Sequence, residues 1–445
     1  MGLGEMSSEF NRKIDKAIEL YEQGNLKKAR SLCLRLLEKD ADNSHVLITL
    51  GNIFYVQNDY SVAEEYYQKA ADVSPFSYPA LVNLANSLYE QKKYAAAAEY
   101  ARRAAECKSD EKLAYIILGN SYQELEDYDS AVKALTAAAK LDPSDSWIYN
   151  YLSQGYLKQQ NYLQAISSAW KAVELSADED DEAHQINLGY LFYEVALDKK
   201  ADSIADCVKL WLKKYSDNPL VNYMGNALLS NQNIKTANAK YVKDIFDVFA
   251  ADFDSVLRAL DYRAPQLIRK CLEDIYKDKK RPRLKILDLG CGTGLCGEFL
   301  KDYAGWFGLD GVDISPKMLE AAKRKKLYSR LINSEMTAYL NNSPDRYNLM
   351  VAADVFTYVG DLENLFKAVH KSLKKKGRII FTISENTQND KAYYLHISGR
   401  FVHAIEYVKF MLNDSLFEIE NCVRRKLRNE GDKSVMGYVI SAVKK

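Results

Sequence analysis

A glycine-rich loop is the feature of the chain that most clearly suggests chemistry. In the run Asp288-Leu-Gly-Cys-Gly-Thr-Gly294, three glycines stand at alternate positions directly after a strand-like segment. Glycine lets the backbone turn tightly and approach a ligand, and the amides that begin the next helix can face a negative group. Leu295 stands where a dinucleotide-binding Gly-x-Gly-x-x-Gly run needs its third glycine. The loop therefore predicts a ligand site without a pyrophosphate.

An acidic residue follows this loop at the end of the next strand-like run, 308–314. It is Asp313, and a carboxylate in that place can accept hydrogen bonds from both hydroxyls of a ribose. The loop alone could be a simple strand-to-helix turn. Together with Asp313, it predicts a site for a nucleoside-type ligand.

Strands and helices alternate around the loop. Strand-like runs lie at 284–289, 308–314, 330–332, 347–352 and 377–383, and helical stretches between them include 316–325 and 362–374. This alternation predicts a parallel sheet with helices on both faces. Two further runs, 416–428 and 435–443, are joined by Asn429-Glu-Gly-Asp432 and predict a hairpin that closes the sheet with antiparallel pairing.

The first half of the chain repeats itself about every 34 residues. Alanine recurs in register, and a small residue recurs at a fixed distance before each one: Ala29, Ala63, Ala97, Ala131 and Ala165, preceded by Ala17, Gly51, Ala85, Gly119 and Ser153. Small residues let two helices approach closely, and stacked helix pairs bury a continuous core. This pattern resembles the tetratricopeptide repeat (TPR) family, which implies an all-α solenoid.

One face of the repeats is expected to line a groove. Asparagines recur one residue after the small position, and two tyrosines follow three residues later: Asn52, Asn86, Asn120, Tyr55 and Tyr89. The TPR resemblance places these side chains on the concave side, where amides can bind the backbone of an extended peptide. The alternative is that the asparagines only stabilise the repeats.

The second half resembles the class I methyltransferases that use S-adenosyl-L-methionine. The resemblance implies a Rossmann-like, seven-stranded α/β sheet with an antiparallel C-terminal hairpin. It also implies cofactor contacts from the glycine loop, from the second strand and its helix, and from the ends of the third and fourth strands. The residues are Asp288, Gly290, Cys291, Gly292, Gly294, Asp313, Ile314, Met318, Glu335, Met336, Asp354 and Phe356.

A closer resemblance covers nearly the whole chain. Bacterial-type predicted methyltransferases with N-terminal TPR repeats have similar segments, of which Ser398-Gly-Arg-Phe-Val-His403 is the most distinctive. His403, at the start of a predicted helix 403–412, is the first candidate for a proton acceptor, because a neutral imidazole suits that role. It can equally cap the helix or support the core. Tyr358 and Arg400 are candidates for orienting the acceptor.

Composition excludes several classes of protein. The formal net charge is +0, which disfavours nucleic acid as a partner. No apolar run approaches a membrane span, and charged residues near the start predict no secretory signal. The 7 cysteines include no Cys-x-x-Cys pair, so we expect no metal site and a reducing compartment such as the cytoplasm.

These observations predict four segments. They are five TPR repeats at 10–177, degenerate repeat or capping helices at 178–230, a linker at 231–243, and a class I methyltransferase domain at 244–445. The predicted function is methylation of a protein or peptide that the repeats recruit. The alternatives are a small-molecule methyltransferase whose repeats serve assembly, and a non-catalytic TPR adaptor. The acceptor, the repeat partner and the oligomeric state stay open.

Overall fold

The computed structural model describes residues 3–176, 182–230, 233–277, 282–388, 391–431 and 433–445. The chain divides into two compact units, Met1–Leu191 and Phe192–Lys445. Each unit contains buried apolar clusters of its own. Within the predicted linker, residues 231 and 232 lie outside the described residues, as does Asp432 of the predicted hairpin turn.

The first unit consists of helix pairs joined by short turns. The pairs are α1 (Leu3–Glu22) and α2 (Leu26–Leu37), α3 (Ser44–Tyr55) and α4 (Tyr60–Val73), α5 (Tyr78–Glu90) and α6 (Tyr94–Cys107), α7 (Lys112–Glu124) and α8 (Tyr128–Leu141), and α9 (Ser146–Lys158) and α10 (Tyr162–Leu175). They confirm the predicted helical repeats.

Close packing explains the recurring small residues. A Cβ atom added to Gly51 in α3 would overlap the ring of Tyr67 in α4, and one added to Gly119 in α7 would overlap Leu135 in α8. The recurring alanine of the second helix, such as Ala63, is fully buried. Any larger side chain at these positions would force the two helices of a pair apart.

The turn inside each pair also recurs in register. It contains one residue with a left-handed backbone, and these residues are Gly24, Asn58, Lys92, Glu126 and Gln160. Only the first is a glycine, so a search for glycines does not find the other turns. The backbone conformation repeats although the residue type does not.

The chain continues in helices after the fifth pair. They are α11 (Glu182–Val195), a π-helical segment (Ala196–Lys200), α12 (Ala201–Lys214) and α13 (Pro219–Leu228). A degenerate sixth pair and a further helix are expected here, in the segment 178–230, of which residues 178–181 lie outside the described residues. The division between the two units falls after Leu191, within α11, and the bounds of the four predicted segments stay predictions.

The second unit is built on a sheet whose seven strands run in the order β3-β2-β1-β4-β5-β9-β8. The strands are β1 (Leu284–Leu289), β2 (Ala304–Asp313), β3 (Arg330–Asn333), β4 (Tyr347–Ala352), β5 (Leu373–Ser384), β8 (Phe417–Glu430) and β9 (Lys433–Lys444). The first five are parallel, and β9 pairs antiparallel with both β5 and β8. The predicted α/β fold with an antiparallel C-terminal hairpin is confirmed.

The remaining elements lie before and between these strands. They are α14 (Ala239–Phe249), α15 (Phe253–Ala259), α16 (Ala264–Ile275), α17 (Gly297–Leu300), α18 (Pro316–Arg324), α19 (Met336–Asn342), a 3-10 turn (Phe356–Tyr358), α20 (Glu363–Ser372), the two-stranded sheet of β6 (Tyr393–Leu395) and β7 (Phe401–His403), and α21 (Ile405–Asp414). The helix predicted to begin at His403 begins at Ile405 instead, because His403 ends β7.

In the described part of the chain, every helix is too short or too polar to cross a membrane.

Candidate active site

A cavity of about 730 Å³ lies at the carboxyl ends of β1, β2 and β4. Ligands bind at this end of parallel sheets, beside the point where the strand order reverses. Here that point lies between β1 and β4, because β2 occupies the other side of β1. The glycine loop and the ends of β2 and β4 form one part of the wall, and α14 and α15 form another.

The glycine loop forms part of the cavity wall with its backbone. Gly290, Cys291 and Gly292 line the cavity, and both glycines have the left-handed conformation, with φ of 62° and 52°. A Cβ atom at Gly290 would collide with Val355. Burial raises the pKa of the Cys291 thiol well above its usual value. The neutral thiol supports loop packing and not a nucleophilic role.

Asp313 holds the loop against β2 and faces the same cavity. Its Oδ2 accepts a hydrogen bond from the amide of Gly292 at 2.8 Å, and its Oδ1 accepts one from the amide of Ser315 at 2.9 Å. A carboxylate has about four acceptor positions. The amide of Ile314 also bonds to this carboxylate, so Asp313 keeps about one acceptor position for a further donor such as a ribose hydroxyl.

Asp288 is the second carboxylate on this wall. It is buried at the end of β1, and the Tyr328 hydroxyl donates a hydrogen bond to its Oδ2 at 2.7 Å. Burial raises the pKa of Asp288 to about 7, against the lowering effect of this hydrogen bond. A cationic ligand group beside Asp288 would favour its charged form.

The segments after β2 and β3 add apolar and acidic side chains to the wall. Ile314, Met318 and Met336 line the cavity, and Glu335 precedes Met336 at the start of α19. The Glu335 carboxylate accepts hydrogen bonds from the amides of Thr337 and Ala338, at 2.9 and 2.7 Å. These bonds fix its orientation while it still faces the cavity.

Helices α14 and α15 contribute an aromatic and apolar side to the cavity. Val242, Phe246, Phe253 and Leu257 line it, and the ring of Phe246 contacts both Phe253 and Tyr358 edge-on. Two polar contacts hold these helices. Ser315 donates to Asp247 in α14 at 2.6 Å, and Thr293 of the glycine loop donates to Asp254 in α15.

Several charged side chains lie near the carboxyl end of β4. Asp354 lines the cavity in a left-handed conformation, and both of its carboxylate oxygens accept hydrogen bonds from Nη1 of Arg428, at 3.1 and 2.9 Å. Tyr358 and Arg400 also line the cavity. Burial alone lowers the pKa of Arg400, but Tyr358, Asp354 and Glu430 outweigh it and raise the pKa. Arg400 is therefore a permanent cation in the wall.

Comparison with protein families assigns both halves of the chain. Residues 256–418 match a methyltransferase domain, and residues 48–112 and 113–145 match tetratricopeptide repeats. The chain carries tetratricopeptide repeats and a methyltransferase domain. The sequence predictions of both are thus confirmed.

Known proteins similar to the methyltransferase domain include human methyltransferase-like protein 27, which is 43% identical over 86 residues, 19% of this chain and 34% of that protein. Malonyl-[acyl-carrier protein] O-methyltransferase 1 of Ilyobacter polytropus is 27% identical over 156 residues, 35% of this chain and 54% of that protein. The chain thus spans about a third to a half of these relatives. The magnesium protoporphyrin IX methyltransferase structure from Synechocystis with bound SAH is 17% identical, with a TM-score of 0.37, covering 46% of this chain and 99% of that one.

Two residues assigned to the cofactor site do not line the cavity of the methyltransferase domain. Gly294 faces Tyr328, which lies 3.0 Å from the position that a Cβ atom would take. Its φ of 90° shows that glycine is needed there for the turn. Phe356 is fully buried and packs against Phe366 and Phe381. Both assignments are corrected to structural roles.

His403 does not line the cavity either. It is 0% exposed, and its Nε2 lies 2.9 Å from the carbonyl oxygen of Val359 and 3.2 Å from that of Gly360. Burial lowers the pKa of His403 to about 4. A buried imidazole that bonds to backbone carbonyls positions the wall segment containing Val359. This geometry favours the alternative in which His403 supports the core, and it does not support His403 as the proton acceptor.

Several cavity residues are absent from the sequence-based assignments. They are Lys235, Phe246, Phe253, Tyr262, Asp361 and Asn364. The sequence does show an apolar face on α14 and α15. However, an apolar face that covers a ligand has the same periodicity as one that packs on a core, so the pattern alone does not distinguish them.

The repeats contain a separate, smaller cavity of about 260 Å³, lined by Tyr21, Asn52, Tyr55, Tyr67, Asn83 and Asn86. Asn52 accepts hydrogen bonds from Tyr67 at 2.8 Å and from Asn83 at 3.0 Å, and Asn86 donates to the Tyr55 hydroxyl at 2.8 Å. Three of the five predicted groove residues thus lie together.

The other two predicted groove residues are Tyr89, in α5 with Asn86, and Asn120, in α7 of the following repeat. The Tyr89 ring contacts Tyr94 edge-on, and Oδ1 of Asn120 is buried without a hydrogen-bond partner in the described part of the chain. The 34-residue pattern missed Asn83, because the residues 34 positions before and after it are Thr49 and Ile117 and not asparagines.

Proposed function

We propose that the chain is an S-adenosyl-L-methionine-dependent methyltransferase that acts on a protein or peptide recruited by its repeats. The cavity at the glycine loop supports this proposal most directly. In this cavity Asp313 lies beside Gly292 at the end of β2, with an acceptor position left for a ribose hydroxyl. The residues that we assign to cofactor binding are those of the sequence analysis that line this cavity.

The charges of the cavity fit this cofactor better than a phosphate-containing one. Asp288, Asp313 and Glu335 line the side formed by the glycine loop, β2 and β3. Three carboxyl groups would repel a pyrophosphate, whereas they suit a ligand with an ammonium group and ribose hydroxyls. When bound, the cofactor supplies a methyl group activated by a sulfonium centre.

The protein's own contribution is binding and orientation. The backbone at Gly290 and Gly292 gives the ligand close access to the loop, and Asp313 fixes the ribose. Apolar side chains such as Met318 and Met336 pack beside the adenine, while Phe246 and Phe253 exclude water. Holding two reactants in the correct geometry can supply about 7–11 kcal/mol of a barrier. Positioning is therefore the main catalytic effect that we assign to the chain.

Cofactor binding is tested by calorimetric titration of the full chain with S-adenosylhomocysteine. We expect Asp313→Ala to weaken binding at least tenfold, because each lost hydrogen bond to a charged acceptor costs about 1.5–3 kcal/mol. Asp414→Ala, on the exposed end of α21, is the matched control and should bind like the parent. Equal affinities for Asp313→Ala and the parent would show that the ribose assignment is wrong.

Recruitment by the repeats is tested with labelled cofactor and cell lysate. We expect the double variant Tyr55→Ala/Tyr89→Ala to label fewer polypeptides than the parent, because it removes both aromatic groups of the predicted groove. Phe76→Ala is the control, since Phe76 is 86% exposed and does not line the cavity of the repeats. Equal labelling of polypeptides by all three proteins would reject recruitment.

A small-molecule acceptor is the second candidate. The observation that favours it is the volume of the cavity, about 730 Å³, because sites for small ligands measure about 300–1,000 Å³. In the lysate experiment, label that appears in metabolites and not in polypeptides would support this candidate.

A further inference from the structure

The Arg400 guanidinium is one of the two basic groups in the described cavity wall. Its side chain lines the cavity, is partly buried and donates a hydrogen bond to the Tyr358 hydroxyl, but within the described residues it forms no ion pair with a carboxylate. Buried charges in proteins are normally paired, because removing a charge from water is costly. An unpaired guanidinium that faces a cavity is therefore an available site for an anion.

Three carboxylates of this region, two of which stabilise the charge of Arg400 from a distance, form their direct contacts with other residues. Asp354 accepts two hydrogen bonds from Arg428, and Glu430 accepts one from the Tyr193 hydroxyl at 3.0 Å. Asp361 pairs with Lys235 at 3.4 Å. These contacts keep the three acidic groups in place and leave Arg400 without a direct carboxylate partner, and the donors that Tyr358 does not use can bind a ligand.

The backbone that bears Arg400 is well supported. Arg400 follows Gly399 in the turn between β6 and β7, and its carbonyl oxygen accepts a hydrogen bond from the amide of His396 at 2.9 Å. The hydroxyl of Tyr223 donates to the carbonyl oxygen of Gly399 at 3.0 Å. A Cβ atom at Gly399 would lie 3.0 Å from the Tyr241 hydroxyl. Helices α13 and α14 thus hold the turn from one side.

We propose that Arg400 binds a carboxylate of the methyl acceptor, so that the acceptor is an acidic molecule or an acidic peptide side chain. The planar guanidinium presents paired donors that match a carboxylate. Lys235 is the other basic residue in the described wall, which also contains Asp288, Asp313, Glu335, Asp354 and Asp361. These acidic groups would repel a dianionic phosphate more strongly than a carboxylate with one charge.

This inference rests on the proposed function and specifies its acceptor. The test is titration of the full chain, saturated with S-adenosylhomocysteine, at constant ionic strength. The probes are glutarate, a peptide with blocked ends and one glutamate, and inorganic phosphate. Glutarate and the peptide distinguish a free acid from an acidic side chain. The variants are Arg400→Met and Arg400→Lys, and the control is Arg425→Met, which removes the same charge from the exposed face of β8.

We expect Arg400→Met to weaken binding of a carboxylate probe at least tenfold, as for a lost charge-assisted hydrogen bond. Arg400→Lys should retain part of the affinity, because it keeps the charge and loses the paired donors. Arg425→Met should bind like the parent. The affinity for S-adenosylhomocysteine should be the same in all four proteins.

Three results would overturn the proposal. The first is equal carboxylate binding by Arg400→Met and the parent, and the second is tighter binding of phosphate than of either carboxylate. The third is weaker binding of S-adenosylhomocysteine, but not of methylthioadenosine, by Arg400→Met, because only the former has an amino-acid carboxylate. If the parent itself bound no S-adenosylhomocysteine, the proposed function would fail instead, which the same titration shows before any variant is compared.

Discussion

Single residues in the cavity wall combine a structural and a ligand-facing role. Asp313 accepts hydrogen bonds from the amide of Gly292 in the glycine loop and from that of Ser315 after β2, and it still faces the cavity. Asp354 neutralises Arg428 and still lines the cavity. Because of this double role, substitution of such a residue alters both the ligand contacts and the shape of the site. A control outside the cavity and a direct binding measurement are needed to separate the two effects.

His403 gives a prediction about pH and stability. Burial lowers its pKa to about 4 in the folded chain, whereas the unfolded chain has the ordinary value of about 6.5. Between these two pH values the unfolded state binds more protons than the folded state. The contribution of neutral His403 to stability is therefore complete above about pH 6.5 and is lost as the pH falls towards 4.

The full effect is about 3 kcal/mol. We expect His403→Gln to have a lower free energy of unfolding than the parent at neutral pH and a smaller loss between pH 7 and pH 4.5, measured by urea unfolding. His45→Gln, at an exposed position, should follow the parent. Parallel curves for the parent and His403→Gln would contradict the prediction.

At the scale of elements, the strands of the main sheet were predictable because each leaves a strong sequence pattern. The predicted run 347–352 coincides with β4, and the hairpin of β8 and β9 lies where it was expected. The strands β6 and β7 were not predictable, since three residues are too few to show a period. That small sheet contains His403 and positions Arg400. Because β7 was not predicted, His403 was assigned to the start of a helix and not to the end of a strand.

Helices α14 and α15 cover one side of the cavity, and the contacts that attach this cover to the glycine loop can be tested. Asp254 in α15 accepts a hydrogen bond from Thr293 and pairs with Lys325 at 3.1 Å. Without these contacts, α15 would separate more readily from the glycine loop. We expect Asp254→Ala to release S-adenosylhomocysteine about tenfold faster, as for one or two lost polar contacts of about 1 kcal/mol each, measured by stopped-flow fluorescence.

The neighbouring Asp252 provides the control. Its side chain is exposed and makes no capping hydrogen bond at the start of α15. Asp252→Ala removes the same charge from the same cover and should release the ligand at the parental rate. Equal acceleration in both variants would mean that general charge, and not the contact with the loop, determines release.

At the scale of the whole molecule, both architectures could be predicted from the sequence, because each follows from a regular pattern. The repeats show a fixed period, and the sheet shows a glycine loop within alternating strands and helices. The contents of the cavity were less predictable. Phe246 and Tyr262 come from segments before β1, and a sequence period does not show which loop or helix folds over a strand end.

The two units should respond separately to changes made in each. In the full chain, S-adenosylhomocysteine at about a hundred times its dissociation constant should stabilise the unit Phe192–Lys445 by about 2.7 kcal/mol. Gly51→Ala should instead destabilise the unit Met1–Leu191 by about 1–3 kcal/mol, because the added methyl group overlaps the Tyr67 ring. Hydrogen exchange followed peptide by peptide measures both effects in one protein. Since each unit buries an apolar core of its own, the ligand should slow exchange in the sheet and leave α3 and α4 unchanged, while Gly51→Ala should do the reverse. A change that spread equally through both units would show that they unfold as one.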